Sequence, residues 1–429
     1  MKRNKHEDDI SFLGKVLLFF KTQKEKLHDL HFSGRSSQKS EESDKQGEFA
    51  EVKLSKAFSV AKKASLSALC ILIVIVLVFG SSIISYENIY YMFKDISYVS
   101  TFNESRPSTL SYSQPFSKQD FVTFKDGLAV VGDGEIKFFT STGRTTLTLG
   151  SNYTNPKICS SNDYVLIYDQ GRNSFSIYNS FVSLFSETLD FPISYADMAP
   201  DGSFCIVTKS ADYGSVVLIY NNKFKLESQY SKNDYVLSAE MSDNGDNIVV
   251  LSLDAQGGNS KASITVLKRG ATKPLHTEVL TDVLPYKATF ISNDRIALIC
   301  SDNASAYDLR GNRKNNFVYP YELLFAEKGN GCYGFVFNKN GVGTDNFVTY
   351  FDDNGNLKYS GMVISRIYDA EILGKYIYLL QDDKVLRIDT TFGMTTSASV
   401  PVSDGKLVVF SDGNVAVCTT TTAYFVQFN

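Results

Sequence analysis

The stretch SYADMAPDGSFCIVTKS, residues 194–210, contains a short apolar run, an Asp-Gly dipeptide and a second apolar run. The same pattern returns near the C-terminus as GKLVVFSDGNVAVCTTT, residues 405–421. Asp-Gly and Asn-Gly dipeptides favour the tight turns that join antiparallel strands. Each stretch therefore predicts a β-hairpin.

This turn marker recurs at comparable intervals along the chain. Its positions are Asp126-Gly127, Asn162-Asp163, Asp201-Gly202, Asn244-Gly245, Asn293-Asp294, Asn330-Gly331, Gly374 and Asp412-Gly413. A third strand follows each hairpin, as in NSFSIYN (residues 173–179) and KVLRID (residues 384–389). The mean spacing of about 41 residues is that of a β-propeller blade. A β-sandwich, the competing architecture, has no reason for such a period.

We therefore predict an all-β domain at residues 111–429 that forms a β-propeller of eight blades, with seven blades as the alternative. The last unit reaches Phe428 after only three strands. An open ring would expose sheet edges. We expect a strand from Ser100–Phe116 to complete the last sheet and close the ring.

An apolar run upstream of these repeats predicts one transmembrane helix at residues 64–86. Its 23 residues contain no charge and would extend roughly 34 Å as a helix, enough for a hydrocarbon core of about 30 Å. A buried core helix or strand of this length would be unusual. The lysines that precede the run are Lys53, Lys56, Lys62 and Lys63. Only Lys94 lies in the first fifteen residues after it.

This asymmetry of lysines predicts a cytoplasmic N-terminus, residues 1–63, and an extracellular C-terminal domain joined by a stalk at residues 87–110. The helix would remain in the plasma membrane as a signal anchor. In the tail, residues 10–20 (ISFLGKVLLFF) predict an amphipathic helix that lies on the inner leaflet or pairs with a partner or with Phe49–Phe58. The polar composition of residues 33–47 predicts a disordered linker.

Charge excludes nucleic acid as a partner of the outer domain. The tail holds 14 Lys/Arg against 10 Asp/Glu, whereas the whole chain holds 43 against 47, so the remainder is acidic. Phosphate binding requires a clustered basic surface.

The residues of the outer domain give no recognisable catalytic or metal motif, and we name no catalytic, cofactor-binding or metal-ligating residue. Its one histidine, His276, is interpreted as a surface-loop residue. The acidic stretches at residues 243–246 and 352–356 lack the spacing of calcium loops and are interpreted as turns. The cysteines are interpreted as small buried apolar residues, with a disulfide between two of them left open: Cys159, Cys205, Cys300, Cys332 and Cys418.

At these repeats the chain resembles the WD40-like and quinoprotein-like propellers, and in particular an uncharacterised bacterial family of single-pass proteins with a propeller outside the membrane. The resemblance covers roughly residues 50–429 and rests on the architecture and the Asp-Gly type turns. The chain departs from true WD40 repeats because it contains no Trp. The resemblance implies a fold and a location, but no activity.

Three functions agree with this inventory. A binding or scaffolding module at the cell envelope, with a protein or envelope-polymer partner, needs only a rigid ring with recognition loops. A carbohydrate-processing or other propeller enzyme would need catalytic carboxylates. A sensor would relay occupancy through the single helix to the tail. The missing catalytic parts favour binding over catalysis.

Overall fold

Short β-strands account for nearly all of the regular structure that the computed structural model describes, at residues 108–112, 119–254, 261–271, 273–281 and 283–428. Of the predicted tail and membrane span, only Lys63 and Ser67 are described, and both are helical. The rest of those segments lies outside the described residues. Within the described part of the chain, no helix is both long and apolar enough to span a bilayer.

The strands form eight four-stranded antiparallel sheets, which are the blades. The first strand in the chain, β1 (Thr109–Ser111), belongs to the last blade. Blade 1 contains β2 (Gln119–Phe124), β3 (Gly127–Gly132), β4 (Glu135–Phe139) and β5 (Thr145–Gly150). Blade 2 contains β6 (Pro156–Ser160), β7 (Val165–Asp169), β8 (Ser174–Tyr178) and β9 (Ser183–Thr188). Blade 3 contains β10 (Ile193–Met198), β11 (Phe204–Thr208), β12 (Ser215–Tyr220) and β13 (Leu226–Lys232).

The remaining blades follow in chain order. Blade 4 contains β14 (Tyr235–Met241), β15 (Asn247–Asp254), β16 (Lys261–Lys268) and β17 (His276–Thr281). Blade 5 contains β18 (Pro285–Ser292), β19 (Arg295–Cys300), β20 (Asn303–Asp308) and β21 (Arg313–Val318). Blade 6 contains β22 (Glu322–Gly329), β23 (Cys332–Asn338), β24 (Asp345–Asp352) and β25 (Leu357–Ile364). Blade 7 contains β26 (Asp369–Leu373), β27 (Tyr376–Leu380), β28 (Lys384–Asp389) and β29 (Met394–Ser399), and blade 8 contains β30 (Lys406–Val409), β31 (Val415–Cys418), β32 (Thr422–Val426) and β1.

The first strand of each blade contacts the first strands of both neighbouring blades, including β30 against β2, so the eight blades form a closed ring around a central channel. Closure occurs where β1 pairs with β32, through Thr109 opposite Tyr424 and Ser111 opposite Thr422. The predicted eight blades and the predicted closing strand are confirmed. Thr109 and Leu110 belong to the last sheet, not to the stalk as predicted.

All eight turn markers lie at or directly beside the turn between the first and second strands of a blade. They therefore share one face of the ring, which we call the lower face. The first strands begin at the opposite face, which we call the upper face. At the first marker, Lys125 and Asp126 adopt left-handed conformations. Gly127 is needed there for close packing, since a Cβ atom would lie 1.9 Å from the Phe139 carbonyl oxygen.

The core consists of apolar clusters that lie between neighbouring sheets. Aromatic rings replace the absent tryptophans, as where Phe204 stacks on Tyr220 with ring centroids 4.5 Å apart. Burying each such ring stabilises the fold by about 1.5–3 kcal/mol. The five cysteines of the propeller are free thiols. Four are buried and Cys159 is partly buried, which agrees with their interpretation as small apolar residues.

Candidate functional site

Four consecutive blades have a β-bulge near the upper end of the first strand. In blade 4, Val236 pairs with Ser252 and Ser238 pairs with Leu251, which leaves Leu237 without a partner on the next strand. The equivalent unpaired residues of blades 3, 5 and 6 are Ser194, Tyr286 and Leu324. The first strands of blades 7, 8, 1 and 2 pair without a register shift. A bulge redirects a side chain out of the regular alternation, so one residue in each of blades 3–6 is turned away from the sheet.

The upper face of these same blades exposes large apolar side chains. We call this set the upper crescent: Tyr213, Tyr235, Leu237, Leu284, Tyr286, Tyr321, Leu324 and Val342. Tyr235 is 60% exposed and Tyr286 is 56% exposed. On the upper face of blades 7, 8, 1 and 2, as far as the structure describes it, no side chain of this kind is exposed. The crescent is therefore confined to the bulged blades.

Hydrogen bonds hold the loops that support the crescent. The backbone N–H of Val236 donates to the Ser215 hydroxyl at 2.9 Å, which ties the start of β14 to blade 3. The backbone N–H of Ser301 donates to the carbonyl oxygen of Leu284 at 2.9 Å. The ring of Tyr321 lies edge-on to Phe347, with centroids 5.9 Å apart. The exposed side chains are therefore carried on an ordered frame.

The residue three positions after each bulge is polar. These residues are Asp197, Glu240, Thr289 and Glu327, and each follows an alanine. Glu371 of blade 7 also follows an alanine and precedes its turn marker by the same interval as Glu327. A cavity of about 330 Å³ between the first strands includes Asp197, Glu371 and Lys406 in its lining. The first strands of blades 3–7 thus carry an arc of polar residues, four of them carboxylates, along the channel.

Glu240 is the centre of an ionic cluster that joins blades 3 to 6. Its side chain is 2% exposed and lies 2.9 Å from Lys328 Nζ and 3.3 Å from Lys287 Nζ. Thr289 and Tyr195 donate hydroxyl hydrogen bonds to the same carboxylate. Burial alone would raise the pKa of Glu240, but the two lysines outweigh burial and lower it to about 2. The cluster therefore keeps a buried carboxylate ionised.

Three other channel carboxylates bind the backbone of the next blade. Asp120 accepts from the N–H of Ile158 at 3.3 Å, Asp197 from Met241 at 2.8 Å and Asp369 from Leu407 at 2.6 Å. Lys406 of blade 8 also lies 2.7 Å from Asp120 of blade 1. These contacts fasten neighbouring blades to one another. Burial and the nearby Glu240 raise the pKa of Asp197.

Glu327 and Glu371 differ from the other channel carboxylates because no described hydrogen bond or ion pair holds them. Burial raises the pKa of Glu327 to about 7. Burial, together with Glu327 and Asp369, raises the pKa of Glu371 to about 8. Such groups can exchange protons near neutral pH or accept a cation.

The residues considered from sequence alone lie away from this site, except for Cys159. His276 is the first residue of β17 and packs against Gly311, so its assignment to a surface loop was wrong. Residues 243–246 and 352–356 form turns, where Asp352 accepts backbone hydrogen bonds from Asn354 and Asn356. Among the described residues, no three His, Cys, Asp or Glu side chains converge as metal ligands. Cys159 lines the cavity, but burial raises the pKa of its thiol.

Sequence reasoning missed this arc of carboxylates, although a signal for it exists. An alanine followed by an acid recurs three or four residues before a turn marker at Ala196-Asp197, Ala239-Glu240, Ala326-Glu327 and Ala370-Glu371. An acid at this position interrupts an apolar strand. A recurring interruption of this kind indicates that the first strand faces a polar channel.

Comparison with known proteins establishes the family. A family model described as "Family of unknown function (DUF5711)" matches residues 99–420. The chain belongs to this family. The matched DUF5711 region contains every strand of the propeller except the last, β32, and includes the whole bulged half of the ring. No protein of curated function matches the sequence.

Solved structures similar to this DUF5711 propeller share its fold at low sequence identity. BamB from Moraxella catarrhalis aligns with a TM-score of 0.50 and 11% identity over 76% of this chain and 97% of its own. The C-terminal WD40 domain of Sif2 aligns with a TM-score of 0.54 and 13% identity over 75% of this chain and 99% of its own. The WD40 domain of SCAP from fission yeast aligns with a TM-score of 0.50 and 13% identity over 74% of this chain and 96% of its own. At these identities the likeness shows the fold alone.

Proposed function

We propose that this chain is a membrane-anchored, extracytoplasmic binding or scaffolding module of the cell envelope, and that a protein partner docks on the upper crescent. The observation that carries the proposal is the coincidence of four consecutive β-bulges with the exposed apolar side chains of the same blades. A bulge interrupts a ladder of hydrogen bonds, and bulges cluster beside functional sites.

The composition of the crescent suits recognition. Large apolar side chains that are exposed together on one part of a surface mark interaction sites more often than those scattered singly. Tyrosine is enriched among the residues that dominate binding energy because it combines a large apolar ring with a hydroxyl group. The crescent holds four tyrosines on one side of the channel mouth.

Alanine substitution in the crescent tests this docking. We would purify the full chain from membranes with its bound proteins and compare the wild type with the double variant Tyr235→Ala and Tyr286→Ala. Phe392→Ala is the matched control, because Phe392 is 72% exposed but lies on the lower face in blade 7. The crescent variant should lose a partner that the control retains. Equal retention by both variants, or loss only in the control, would exclude the crescent as the docking surface.

Membrane anchoring is supported by the uncharged run at residues 64–86 and the lysines before it. Protease added to intact cells should digest the propeller and spare the N-terminal tail, which an antibody against each end can follow. Protection of the C-terminal domain in intact cells, with digestion after permeabilisation, would contradict the proposed topology.

A second candidate function is carboxylate catalysis in the channel. It is favoured by the pKa values of Glu327 and Glu371, raised to about 7 and about 8, because groups that titrate near neutral pH suit acid-base chemistry. A screen against cell-wall fragments and generic glycosides tests it. Turnover that disappears in Glu371→Gln would support catalysis, whereas turnover that persists in that variant would exclude this carboxylate as the catalytic group.

A further inference from the structure

The first strands of the ring carry more negative than positive charge. They contain seven carboxylates: Asp120, Asp197, Glu240, Glu322, Glu327, Asp369 and Glu371. They contain four lysines: Lys157, Lys287, Lys328 and Lys406. An excess of negative charge in a narrow channel attracts cations and repels acidic ligands.

Three of the four lysines are already paired with other channel carboxylates. Lys287 and Lys328 contact Glu240, and Lys406 contacts Asp120. Asp197 and Asp369 accept backbone hydrogen bonds from the next blade. Glu327 and Glu371 form no described hydrogen bond or ion pair of their own, and they interact only at longer range with Lys287 and Lys406, which contact other carboxylates. An unpaired carboxylate in a partly desolvated place is unfavourable until a cation or a proton reaches it.

The upper crescent lies above Glu327 and Glu371 at a distance that a long side chain can cover. Leu324 of the crescent precedes Glu327 by three residues on the same strand, β22. At about 3.3 Å per residue, the two are about 10 Å apart along the strand. Lys and Arg carry a charged group at the end of an apolar stem, and that stem can pack along Leu324 while the charge reaches the channel.

We infer that the partner segment on the upper crescent presents a Lys or Arg side chain, which enters the channel and pairs with the carboxylates of Glu327 and Glu371. This inference rests on the proposed docking at the crescent. It specifies a partner with a basic residue flanked by apolar ones, and it excludes an acidic segment. A metal ion is a poorer occupant, because the described residues offer no converging group of three ligands.

Peptides test the inference without knowledge of the natural partner. One fluorescent pool has Arg at the centre and apolar or aromatic residues on either side. The matched pool has citrulline, which keeps the shape of Arg but is uncharged. Binding to the full-length protein in detergent is measured by fluorescence anisotropy. We expect the Arg pool to bind about tenfold more tightly, since truncating one member of a close charge pair costs at least that much affinity.

Channel variants then identify the carboxylates responsible. Glu327→Gln and Glu371→Gln should each reduce the preference for Arg, and the double variant should abolish it. Glu278→Gln is the matched control, because Glu278 lies on β17, the outermost strand of blade 4, and so stands away from the channel. It should retain the preference.

The outcomes separate this inference from the docking on which it rests. Three results would overturn the inference that the partner presents a basic side chain. They are equal binding of the two pools, no binding of either pool, and a preference for Arg that survives in the double variant. If both pools bind equally and Tyr286→Ala weakens both, docking on the crescent stands and only the inference fails. If Arg is preferred but Tyr286→Ala has no effect, the channel site stands without the crescent.

Discussion

The two halves of the ring are built from the same blade but use its first strand differently. In blades 7, 8, 1 and 2 the first strands pair regularly, and three of them have Val408, Val122 and Cys159 at the position where the other half has Asp197 and Glu240. In blades 3–6 the first strands are bulged. Apolar side chains are exposed at the upper face of these blades, and a polar residue follows three positions after each bulge.

This difference separates the site of ring closure from the proposed docking surface. The regular half contains the joint between β1 and β32 and the contact of Lys406 with Asp120. The bulged half contains the upper crescent and the cluster around Glu240. A repeat fold can therefore close its ring in one set of blades and expose apolar side chains on another.

Removal of blade 8 should have the largest effect. Deletion of residues 401–429 removes β30, β31 and β32, so β1 loses its sheet and the apolar faces of blades 1 and 7 that pack against blade 8 are exposed. We expect the cooperative thermal transition to disappear and the protein to aggregate. Circular dichroism melting and size-exclusion chromatography measure this. A truncated chain that stays monomeric and melts like the wild type would show that closure does not depend on the regular half.

Loss of the Glu240 carboxylate should be the next largest effect. Glu240→Ala leaves Lys287 and Lys328 without their carboxylate partner. Breaking such a buried pair should lower the free energy of unfolding by about 3 kcal/mol. This is the low end of the usual range, because both lysines are partly exposed. Denaturant unfolding measures the change. Glu322→Ala, an exposed glutamate of β22, should change the free energy of unfolding by less than about 0.5 kcal/mol. Similar values for the two variants would mean that the cluster does not hold the bulged half together.

Glu371 should make the protein less stable as pH rises. Its native pKa of about 8 lies above the ordinary value of about 4.3, so the native state keeps a proton that the unfolded state loses. Stability therefore falls between about pH 5 and pH 8. Glu371→Gln should reduce this slope, leaving the part that Glu327 contributes, and raise the melting temperature at pH 8.5 by roughly 5–10 °C. Melting scans from pH 5 to 9 check it, and an unchanged slope would contradict the raised pKa.

Substitution in the crescent should have the smallest effect on stability. Tyr286→Ala removes a ring that is 56% exposed and unpaired with the neighbouring strand, so the free energy of unfolding should change by less than about 0.5 kcal/mol. Denaturant unfolding checks this. A loss above about 2 kcal/mol would mean that Tyr286 supports the fold instead of a partner.

The overall architecture could be read from the sequence because its signals are local. Asp201-Gly202 and Asp412-Gly413 each mark a hairpin within a few residues, and their spacing reveals the repeat. The closing strand followed from counting strands in the last unit. These inferences use only the order of the strands along the chain and need no knowledge of contacts between distant strands.

The candidate site could not be read in this way because it depends on pairing between distant residues. Leu237 and Leu324 look like ordinary members of apolar runs, and only the register against the next strand shows that each is unpaired. Lys328 and Glu240 are 88 residues apart in the chain, so their contact follows from the order of the blades. The packing of His276 likewise depends on a neighbouring blade, where Gly311 leaves room for the imidazole ring.

Site-specific photo-crosslinking in cells tests most directly the claim that the bulged half is the docking surface. A benzophenone amino acid replaces Tyr286 of the upper crescent or Phe392 of the lower face, both of which are exposed aromatic residues. Position 286 should give a discrete crosslinked product after irradiation, and position 392 should give none. A product from position 392 alone, or equal products from both positions, would contradict the assignment of recognition to blades 3–6.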